Sequence, residues 1–252
     1  MTEKRTVVIN GVPCSVTISD DGKALSSAYA AGGAVIGIWD RRQPDRSLAP
    51  AEYVVEDIAD ADEEMIGHVV RRRLGLPWII AETERLVIRE FVTGDLENMA
   101  RGEEQEGKDR ESGEGWEEAE GIFQEAGTLS AYVSCQYRFY EYGIWALEER
   151  RTGQIIGRAG LFSDTRYPDK KEDIPVELGY RIFLPWRRKG FAKEACAAIL
   201  EYASSHGMER VCAVIGRDNL PSLRLAEALG FQITAQARSE AGREMCLYVW
   251  NC

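Results

Sequence analysis

This sequence contains little histidine and no closely spaced pair of cysteines. Its two histidines, His68 and His206, have no cysteine or second histidine nearby at the spacing of metal ligands. The six cysteines are scattered without a Cys-x-x-Cys pair, so the sequence predicts neither a zinc site nor a dense disulfide framework. Cys196 and Cys212 lie in apolar stretches and are expected to be buried free thiols, as in a reducing compartment. We expect no bound metal.

The sequence also lacks long apolar runs and a surplus of basic residues. No window approaches about 18 uncharged apolar residues, and the N-terminal segment has no apolar core of signal-peptide length. We therefore expect a cytoplasmic protein that does not interact with a membrane. With 31 basic residues against 42 acidic ones, the net charge is −11. General nucleic-acid binding is not expected, because neutralising phosphates requires a basic face.

The most informative stretch, residues 176–192, has the pattern of a strand, a basic glycine turn and the start of a helix. Apolar residues alternate as far as Leu184, three cations follow soon after Pro185, and Gly190 precedes a helical pattern of apolar residues. The first N–H groups of a helix lack partners inside it and lie at the positive end of its dipole. A glycine there lets an anion approach the backbone. The stretch therefore predicts a site for a phosphate or pyrophosphate group.

This stretch resembles the R/Q-x-x-G-x-G/A signature of the GNAT acyltransferase superfamily, whose backbone amides hold the pyrophosphate of acetyl-coenzyme A. In this chain the signature reads Arg187-Arg188-Lys189-Gly190-Phe191-Ala192. Three further stretches resemble the Rim-type branch of the superfamily, which acetylates the N-terminal amines of ribosomal proteins. They are residues 83–89 (TERLVIR), residues 177–180 (ELGY), and Asn219 and Ser222 with the Leu-Gly-Phe of residues 229–231.

The resemblance implies an α/β fold of the α+β kind for residues 79–252, in which helices flank a mixed, mostly antiparallel central sheet. It also implies an acetyl-coenzyme A-dependent N-acetyltransferase that moves an acetyl group to a primary amine. A ribosomal-protein N-terminus, another peptide, a polyamine and an antibiotic amine are all open as acceptors. The acidic composition suits a cationic acceptor, although it equally suits a surface that keeps the protein in solution. A monomer and a homodimer are both compatible with the sequence.

The resemblance also implies which residues carry the chemistry. Glu177 would take the proton from the acceptor ammonium, which cannot attack while protonated; a surface salt bridge is the alternative role. Strand alternation places Glu177 on the face opposite Tyr180. The amides of Phe183 and Leu184 would stabilise the oxyanion of the tetrahedral intermediate. The coenzyme-binding residues would be Phe183, Leu184, Arg187, Arg188, Lys189, Gly190, Phe191, Ala192, Lys193, Asn219 and Ser222.

By the same resemblance, Ser222 would protonate the departing thiolate, with water as the alternative donor. Many GNAT enzymes use a tyrosine four residues after the position of Ser222, where this chain has Ala226. A free thiol has a pKa of about 8.5, so the leaving group needs little help and the missing tyrosine does not exclude activity. Its absence leaves room for a second hypothesis, a catalytically silent regulatory protein that binds acyl-coenzyme A. Asn219 would cap a helix and also bind the pantetheine arm.

Residues 1–78 are predicted to form a separate small α/β module of unknown role. Its strands are expected at residues 6–10, 15–19, 34–39 and 52–58, and its helices at residues 23–31 and 62–74. Asp20 and Asp21 are candidates there for phosphoacceptors or metal ligands, although Asp-Asp-Gly is also ordinary turn chemistry.

The second domain, residues 79–252, is expected to begin with a strand at residues 85–91 and a helix from Leu96. The segment 101–121 follows, with nine acidic residues against three basic ones. By resemblance this segment would border the acceptor groove, and its Trp116 favours such a contact; a solvated loop is the alternative. Further on, a helix is predicted at residues 123–142 and a hairpin from strands at residues 144–149 and 154–162.

Overall fold

The structure of the protein, a computed structural model, describes residues 1–104, 121–163, 176–239 and 242–252. The chain divides into two units, Met1–Trp78 and Ile79–Cys252. Each unit has its own sheet and its own hydrophobic core. Within the described ranges, no helix is both long enough and apolar enough to cross a membrane.

The first unit is a four-stranded sheet with two helices. Its elements are β1 (Thr2–Ile9), β2 (Val12–Ser19), α1 (Gly22–Ala30), β3 (Ala34–Ile38), β4 (Val54–Val55) and α2 (Glu63–Arg73). The sheet order is β1-β2-β3-β4, with β1 antiparallel to β2 and the remaining pairs parallel. Asn10 and Gly11 join the first two strands with φ angles of 51° and 79°, as a two-residue hairpin turn requires. Both strands begin earlier than expected from the sequence, at Thr2 and Val12, and β1 ends at Ile9, one residue before its expected end.

The two aspartates considered as phosphoacceptors or metal ligands both have structural partners. Asp20 pairs with the N-terminal ammonium group, and this hydrogen bond is the main cause that lowers the pKa of its carboxyl group. Asp21 accepts a hydrogen bond of 3.0 Å from the backbone N–H of Lys23 and so caps α1. Across the described ranges, no three acidic, histidine or cysteine side chains form a metal-binding group. The geometry of this turn fits a helix cap.

The second unit contains an eight-stranded sheet in the order β11-β12-β10-β9-β8-β7-β6-β5. Its strands are β5 (Ile79–Glu82), β6 (Leu86–Arg89), β7 (Ile144–Glu149), β8 (Gln154–Ser163), β9 (Val176–Ile182), β10 (Arg210–Gly216), β11 (Gln232–Arg238) and β12 (Glu244–Asn251). Among these described strands, β9 and β10 pair in parallel and the other neighbours pair antiparallel. The expected mixed, mostly antiparallel sheet is therefore confirmed.

Helices cover both faces of this sheet. They are α3 (Leu96–Glu104), α4 (Ala126–Tyr132), α5 (Phe191–Ser205) and α6 (Leu220–Ala228). On one face, Leu178 and Ile182 of β9 pack in a core with α5 and α6. On the other face, α3 packs on β8, and Phe183 belongs to a second core. Helix α3 lies so close to Phe183 that a Cβ atom on Gly102 would be 2.2 Å from the ring.

Two parts of the second unit differ from the sequence-based prediction. Strand β5 is not predicted from the sequence, because its few apolar residues directly follow Leu76-Pro77-Trp78, where the pattern indicates a junction between domains. The helix predicted at residues 123–142 is interrupted: after α4 comes a π-helical turn, Val133–Tyr137. The backbone N–H of Ile144 donates to the Tyr132 hydroxyl (2.8 Å), and the Tyr137 hydroxyl donates to the Ile144 carbonyl. The turn thus allows both tyrosines to hold the start of β7.

Candidate active site

A gap in the sheet between β9 and β10 forms the centre of the candidate site. The two strands pair at Val176 with Val211 and at Glu177 with Cys212. Beyond these pairs, β9 follows β8 as far as Ile182, whereas β10 follows β12. The strands therefore diverge and leave a cleft of about 130 Å³ that α6 borders on one side. Nothing in the sequence by itself predicts this divergence.

The predicted anion site lies in the connection from β9 to α5. A short 3₁₀ turn, Leu184–Trp186, leads into it, and Gly190 has a φ angle of 84° immediately before α5. The first N–H that bonds within the helix is that of Glu194, which donates to the Gly190 carbonyl at 3.1 Å. The amides of Phe191, Ala192 and Lys193 precede it, so they lack intrahelical partners. This is the backbone arrangement that binds a phosphate.

The side chains around this turn differ in what they can offer an anion. Arg188 and Lys189 are exposed, with the Lys189 ammonium 5.1 Å from the Trp186 ring centre. Arg187 donates from Nε to the Ile182 carbonyl (2.8 Å), which ties it to the end of β9. The Phe191 ring is buried in the core, so only its amide could meet a coenzyme. Ala192 is partly buried and Lys193 is exposed.

Arg85, which immediately precedes β6, holds the turn around Gly190 against the first strands of the unit. Its Nε lies 2.7 Å from Glu194 Oε2, and its Nη1 donates to the Lys189 carbonyl at 2.8 Å. The other oxygen of Glu194 accepts hydrogen bonds from the Arg85 N–H (2.9 Å) and the Thr83 hydroxyl (2.6 Å). Burial raises the pKa of Glu194, but these bonds outweigh it and lower the pKa overall. The motif at residues 83–89 predicted no such role for Arg85.

Glu177 lies at the closed end of the cleft. Its side chain is 3% exposed, which is incompatible with a surface salt bridge. Because Leu178 and Ile182 face α5, strand alternation directs Glu177 to the α3 face. The neighbouring strand contributes Arg158 to that face; this side chain is fully buried, with Nη1 3.3 Å from Glu103 Oε1. A carboxylate and a guanidinium are thus buried on the same side of the sheet.

Asn219 and Ser222 line the opposite wall of the cleft, at the start of α6. The Asn219 side chain accepts a hydrogen bond from the Ser222 N–H (3.2 Å) and caps the helix. The Ser222 hydroxyl lies 2.9 Å from the hydroxyl of Tyr180 on β9. Burial raises the pKa of Tyr180 to about 12, although the bond to Ser222 lowers it in part. The sequence predicted no role for Tyr180, but alternation from Glu177 places it on the α6 side.

The structure does not support the prediction that the Phe183 amide donates to the coenzyme or to an oxyanion. The N–H of Phe183 donates to the Ile156 carbonyl of β8 at 2.8 Å, and the Phe183 side chain is buried in the core. This amide is already engaged, so Phe183 is a poor candidate for binding the coenzyme or an oxyanion. The sequence could not indicate this, because the length over which β9 follows β8 depends on the whole sheet. Leu184 lies one residue further, at the exposed start of the 3₁₀ turn.

The glycine turn that leads from β9 into α5, within a mixed sheet flanked by helices, agrees with the fold that the resemblance to the GNAT superfamily implies. Comparison with known families agrees: residues 85–232 match the acetyltransferase (GNAT) domain. This match covers more than half of the chain, so the protein belongs to the GNAT acetyltransferase family. The expectation of an acetyltransferase enzyme is confirmed, and acetyl-coenzyme A is the co-substrate of the family.

Individual relatives support the same family. The uncharacterized N-acetyltransferase YoaA of Bacillus subtilis is 30% identical over 155 residues, which are 61% of this chain and 82% of YoaA. A Bordetella pertussis protein assigned to the GnaT family is 27% identical, with a TM-score of 0.54 over 67% of this chain and 97% of that one. The ribosomal-protein-S5-alanine acetyltransferase of Vibrio fischeri is 15% identical, with a TM-score of 0.54 over 70% and 96%. The last comparison shows a shared fold only.

Proposed function

We propose that this protein transfers the acetyl group of acetyl-coenzyme A to a primary amine, with Glu177 as the base. The observation that carries the proposal is the cleft where β9 and β10 separate. A buried carboxylate lies at its closed end, and the glycine turn that starts α5 follows the open end of β9. The two ends of one strand thereby present the base and the anion site that the reaction needs.

The coenzyme is proposed to bind along this cleft. Its pyrophosphate would accept hydrogen bonds from the amides of Phe191, Ala192 and Lys193, supported by the charges of Arg188 and Lys189. Gly190 keeps that approach open, because it has no side chain between the anion and the backbone. Asn219 and Ser222, which line the cleft, would meet the pantetheine arm. Leu184 remains a candidate amide donor, whereas Phe183 does not.

The chemistry requires the removal of two protons from the acceptor ammonium and the departure of one thiolate. Glu177 takes the first proton, either directly or through a water molecule. The amine nitrogen then bonds to the acetyl carbon, the C–S bond breaks with its electron pair remaining on sulfur, and the nitrogen loses its second proton to solvent as the amide forms. A low-dielectric site favours the proton transfer to Glu177, because this transfer converts a charged ammonium and a charged carboxylate into two neutral groups. Glu177 is buried.

The acceptor is proposed to be the N-terminal amine of a protein or peptide. The motifs at residues 83–89 and 177–180 support this, because they resemble the Rim-type branch. The V. fischeri relative is named for acetylating a ribosomal protein, but its identity of 15% supports the fold and not the acceptor. The net charge of −11 favours a cationic peptide. The acidic segment expected at the acceptor groove spans residues 101–121. Its central part, residues 105–120 with Trp116, lies outside the described residues.

The proposal can be tested by measuring acetyl-coenzyme A binding calorimetrically and amine-dependent release of free thiol in the same preparation. Cationic peptides with free N-termini, their N-terminally blocked forms and polyamines would be compared as acceptors. Glu177→Gln should keep coenzyme binding and lose most turnover, about 100-fold or more. Glu201→Gln, an exposed carboxylate on α5, is the matched control and should behave as the unsubstituted protein.

The outcomes separate the candidate functions. Turnover with free but not blocked peptides would support an N-terminal acetyltransferase. Turnover with polyamines alone would keep the reaction and overturn the peptide acceptor. Coenzyme binding without turnover for any amine would favour the silent acyl-coenzyme A-binding protein. If the folded protein, freed of copurified coenzyme, does not bind acetyl-coenzyme A, the proposed function is wrong.

A further inference from the structure

Tyr180 and Ser222 meet across the cleft from different elements. Tyr180 belongs to β9 and Ser222 to the first turn of α6, and their hydroxyl oxygens are 2.9 Å apart. Both residues line the space that opens where β9 and β10 separate. This hydrogen bond therefore joins the two walls of the cleft at the place where a thioester is proposed to bind.

Ala226, one helical turn after Ser222, has a small side chain that leaves space for the hydrogen bond between Tyr180 and Ser222. Ala226 also lines the cleft, and its methyl group provides no hydroxyl. The phenol of Tyr180 reaches the same cleft from the strand side instead. Tyr180 is partly buried against the core that contains α5 and α6, so its ring has a fixed environment.

The chemistry of the two hydroxyls indicates the direction of the hydrogen bond. A phenol is a stronger acid than an aliphatic alcohol, so it is the better donor. Because burial raises the pKa of Tyr180 to about 12, the phenol stays protonated at neutral pH and can donate to Ser222. The proton of Ser222 is then directed away from Tyr180. It is available to another acceptor in the cleft.

We propose that Tyr180 is a positioning residue that orients the Ser222 hydroxyl to donate a hydrogen bond to the coenzyme sulfur. This inference rests on the proposed function and assigns Tyr180 a role that the sequence motifs did not indicate. As the C–S bond breaks, its electron pair stays on sulfur and the Ser222 hydroxyl stabilises the developing thiolate. Neither hydroxyl loses its proton in this step. The nitrogen loses its second proton to solvent as the amide forms, and the released thiolate gains a proton from solvent. These two transfers cancel, so the reaction releases one proton overall, the one that Glu177 takes from the ammonium.

The arrangement separates the two charges of the reaction. Glu177 and Tyr180 are three residues apart on β9, and strand alternation directs them to opposite faces. The base therefore acts from the α3 face, whereas the hydroxyl pair acts from the α5 and α6 face. An amine that attacks from the α3 face would therefore meet the carboxylate of Glu177. A thiolate that leaves on the α5 and α6 face would meet the hydroxyl of Ser222.

The test titrates the thiol of bound coenzyme A, which requires binding but no amine and no turnover. The thiolate is followed by its ultraviolet absorbance in the unsubstituted protein, Tyr180→Phe, Ser222→Ala and the double variant. We expect the pKa of the bound thiol to be about one unit below its value of about 8.5 in solution. Tyr180→Phe and Ser222→Ala should each remove most of this shift, and the double variant should remove no more.

A matched variant removes a different phenol. The Tyr202 hydroxyl on α5 donates to the Glu141 carbonyl at 2.7 Å, and Tyr202 is not among the described residues that line the cleft. Tyr202→Phe should therefore leave the pKa of the bound thiol unchanged. Calorimetry should give coenzyme A affinities for Tyr180→Phe and Tyr202→Phe within about threefold of that of the unsubstituted protein, because neither substitution touches the pyrophosphate site. If the hydrogen bond between Tyr180 and Ser222 only stabilised the fold, its loss would instead lower the affinity or the thermal stability without changing the pKa of the bound thiol.

The inference is overturned if Tyr180→Phe titrates like the unsubstituted protein, or if the unsubstituted protein does not shift the pKa of the bound thiol. It is also overturned if the changes in thiol pKa caused by the two single variants add in the double variant. Two hydroxyls that act as one unit should give a double variant with no larger change than either single variant. Failure of amine-dependent turnover in the unsubstituted protein would count against the proposed function alone. The thiol titration would still test the role of Tyr180, because it requires neither an amine nor turnover.

Discussion

Arg85 and Glu194 are 109 positions apart in the chain, yet they form the contact that fixes the turn around Gly190. Arg85 Nε is 2.7 Å from Glu194 Oε2, and the same guanidinium donates to the Lys189 carbonyl and lies 4.4 Å from the Phe191 ring centre. One side chain from the first motif therefore holds both sides of Gly190. The turn owes its shape to this contact as well as to its own glycine.

Replacing Arg85 with Gln should weaken coenzyme binding more than it weakens the fold. The ion pair is partly exposed, so its loss should cost little stability. The released Lys189 carbonyl would let the turn change shape, and we expect the affinity for acetyl-coenzyme A to fall about tenfold. Calorimetric titration measures the change. Arg150→Gln is the control, because Arg150 donates to the nearby Thr83 carbonyl and not to Lys189. Equal losses of acetyl-coenzyme A affinity in Arg85→Gln and Arg150→Gln would contradict the prediction.

Glu194 should make the thermal stability depend on pH in the acid range. Its pKa is lower in the folded protein, since the bonds from Thr83 and Arg85 outweigh burial. The folded state therefore binds the proton less well than the unfolded state, whose carboxyl pKa is about 4.3. The stabilisation is complete above that value and is lost as the pH falls through the folded pKa. Glu194→Gln should lower Tm at neutral pH but not in strong acid. A difference in Tm that persists unchanged in acid would contradict this account.

Substituting Gly190 with Glu should abolish coenzyme binding while the protein still folds. The residue has a φ angle of 84°, and a Cβ atom would lie 3.3 Å from Arg85 Nη2, so about 1 to 2 kcal/mol of strain is expected. The carboxylate would also repel the pyrophosphate, and we expect an affinity loss of about 100-fold, or ~2.7 kcal/mol.

Gly207→Glu serves as the control for the Gly190 variant. Gly207 follows the other end of α5 with a φ angle of 73°, and no described atom lies within 4 Å of the place that a Cβ atom would occupy. The backbone strain should therefore be similar, but the turn around Gly190, where we propose that the coenzyme binds, is unchanged. Circular dichroism and calorimetry on both variants separate strain from blocked binding. A loss of affinity in both would show that the effect at Gly190 is strain.

Gly102→Ala should destabilise the second unit. The new methyl group would lie 2.2 Å from Phe183 Cε2, with two further ring atoms within 2.6 Å, so α3 or the ring must move. Overpacking of this kind costs about 1 to 3 kcal/mol, which urea unfolding can measure. At Gly127 in α4, no atom of the described residues lies within 4 Å of an added methyl group, so Gly127→Ala should be neutral or stabilising. If Gly102→Ala is as stable as the unsubstituted protein, α3 does not pack against Phe183 as described.

Local sequence was sufficient to predict the turn and the helices that carry it. The alternation of β9, the glycine before α5 and the Asn219 cap of α6 each depend on residues close together in the chain. Such features follow from backbone geometry and helix capping, so they are readable without a partner element. The four motifs likewise indicated the family that the domain comparison confirmed.

Only the tertiary structure decided how the cleft is built. The separation of β9 from β10, the engagement of the Phe183 amide by β8, and the pairing of Tyr180 with Ser222 all join distant parts of the chain. Residues close together in the chain set the strand, the turn around Gly190 and the helix starts, because short-range dihedral and hydrogen-bonding preferences decide them. Which amides stay available and which hydroxyls meet depends on how far each strand follows its neighbour, and the packing of the whole sheet sets that distance.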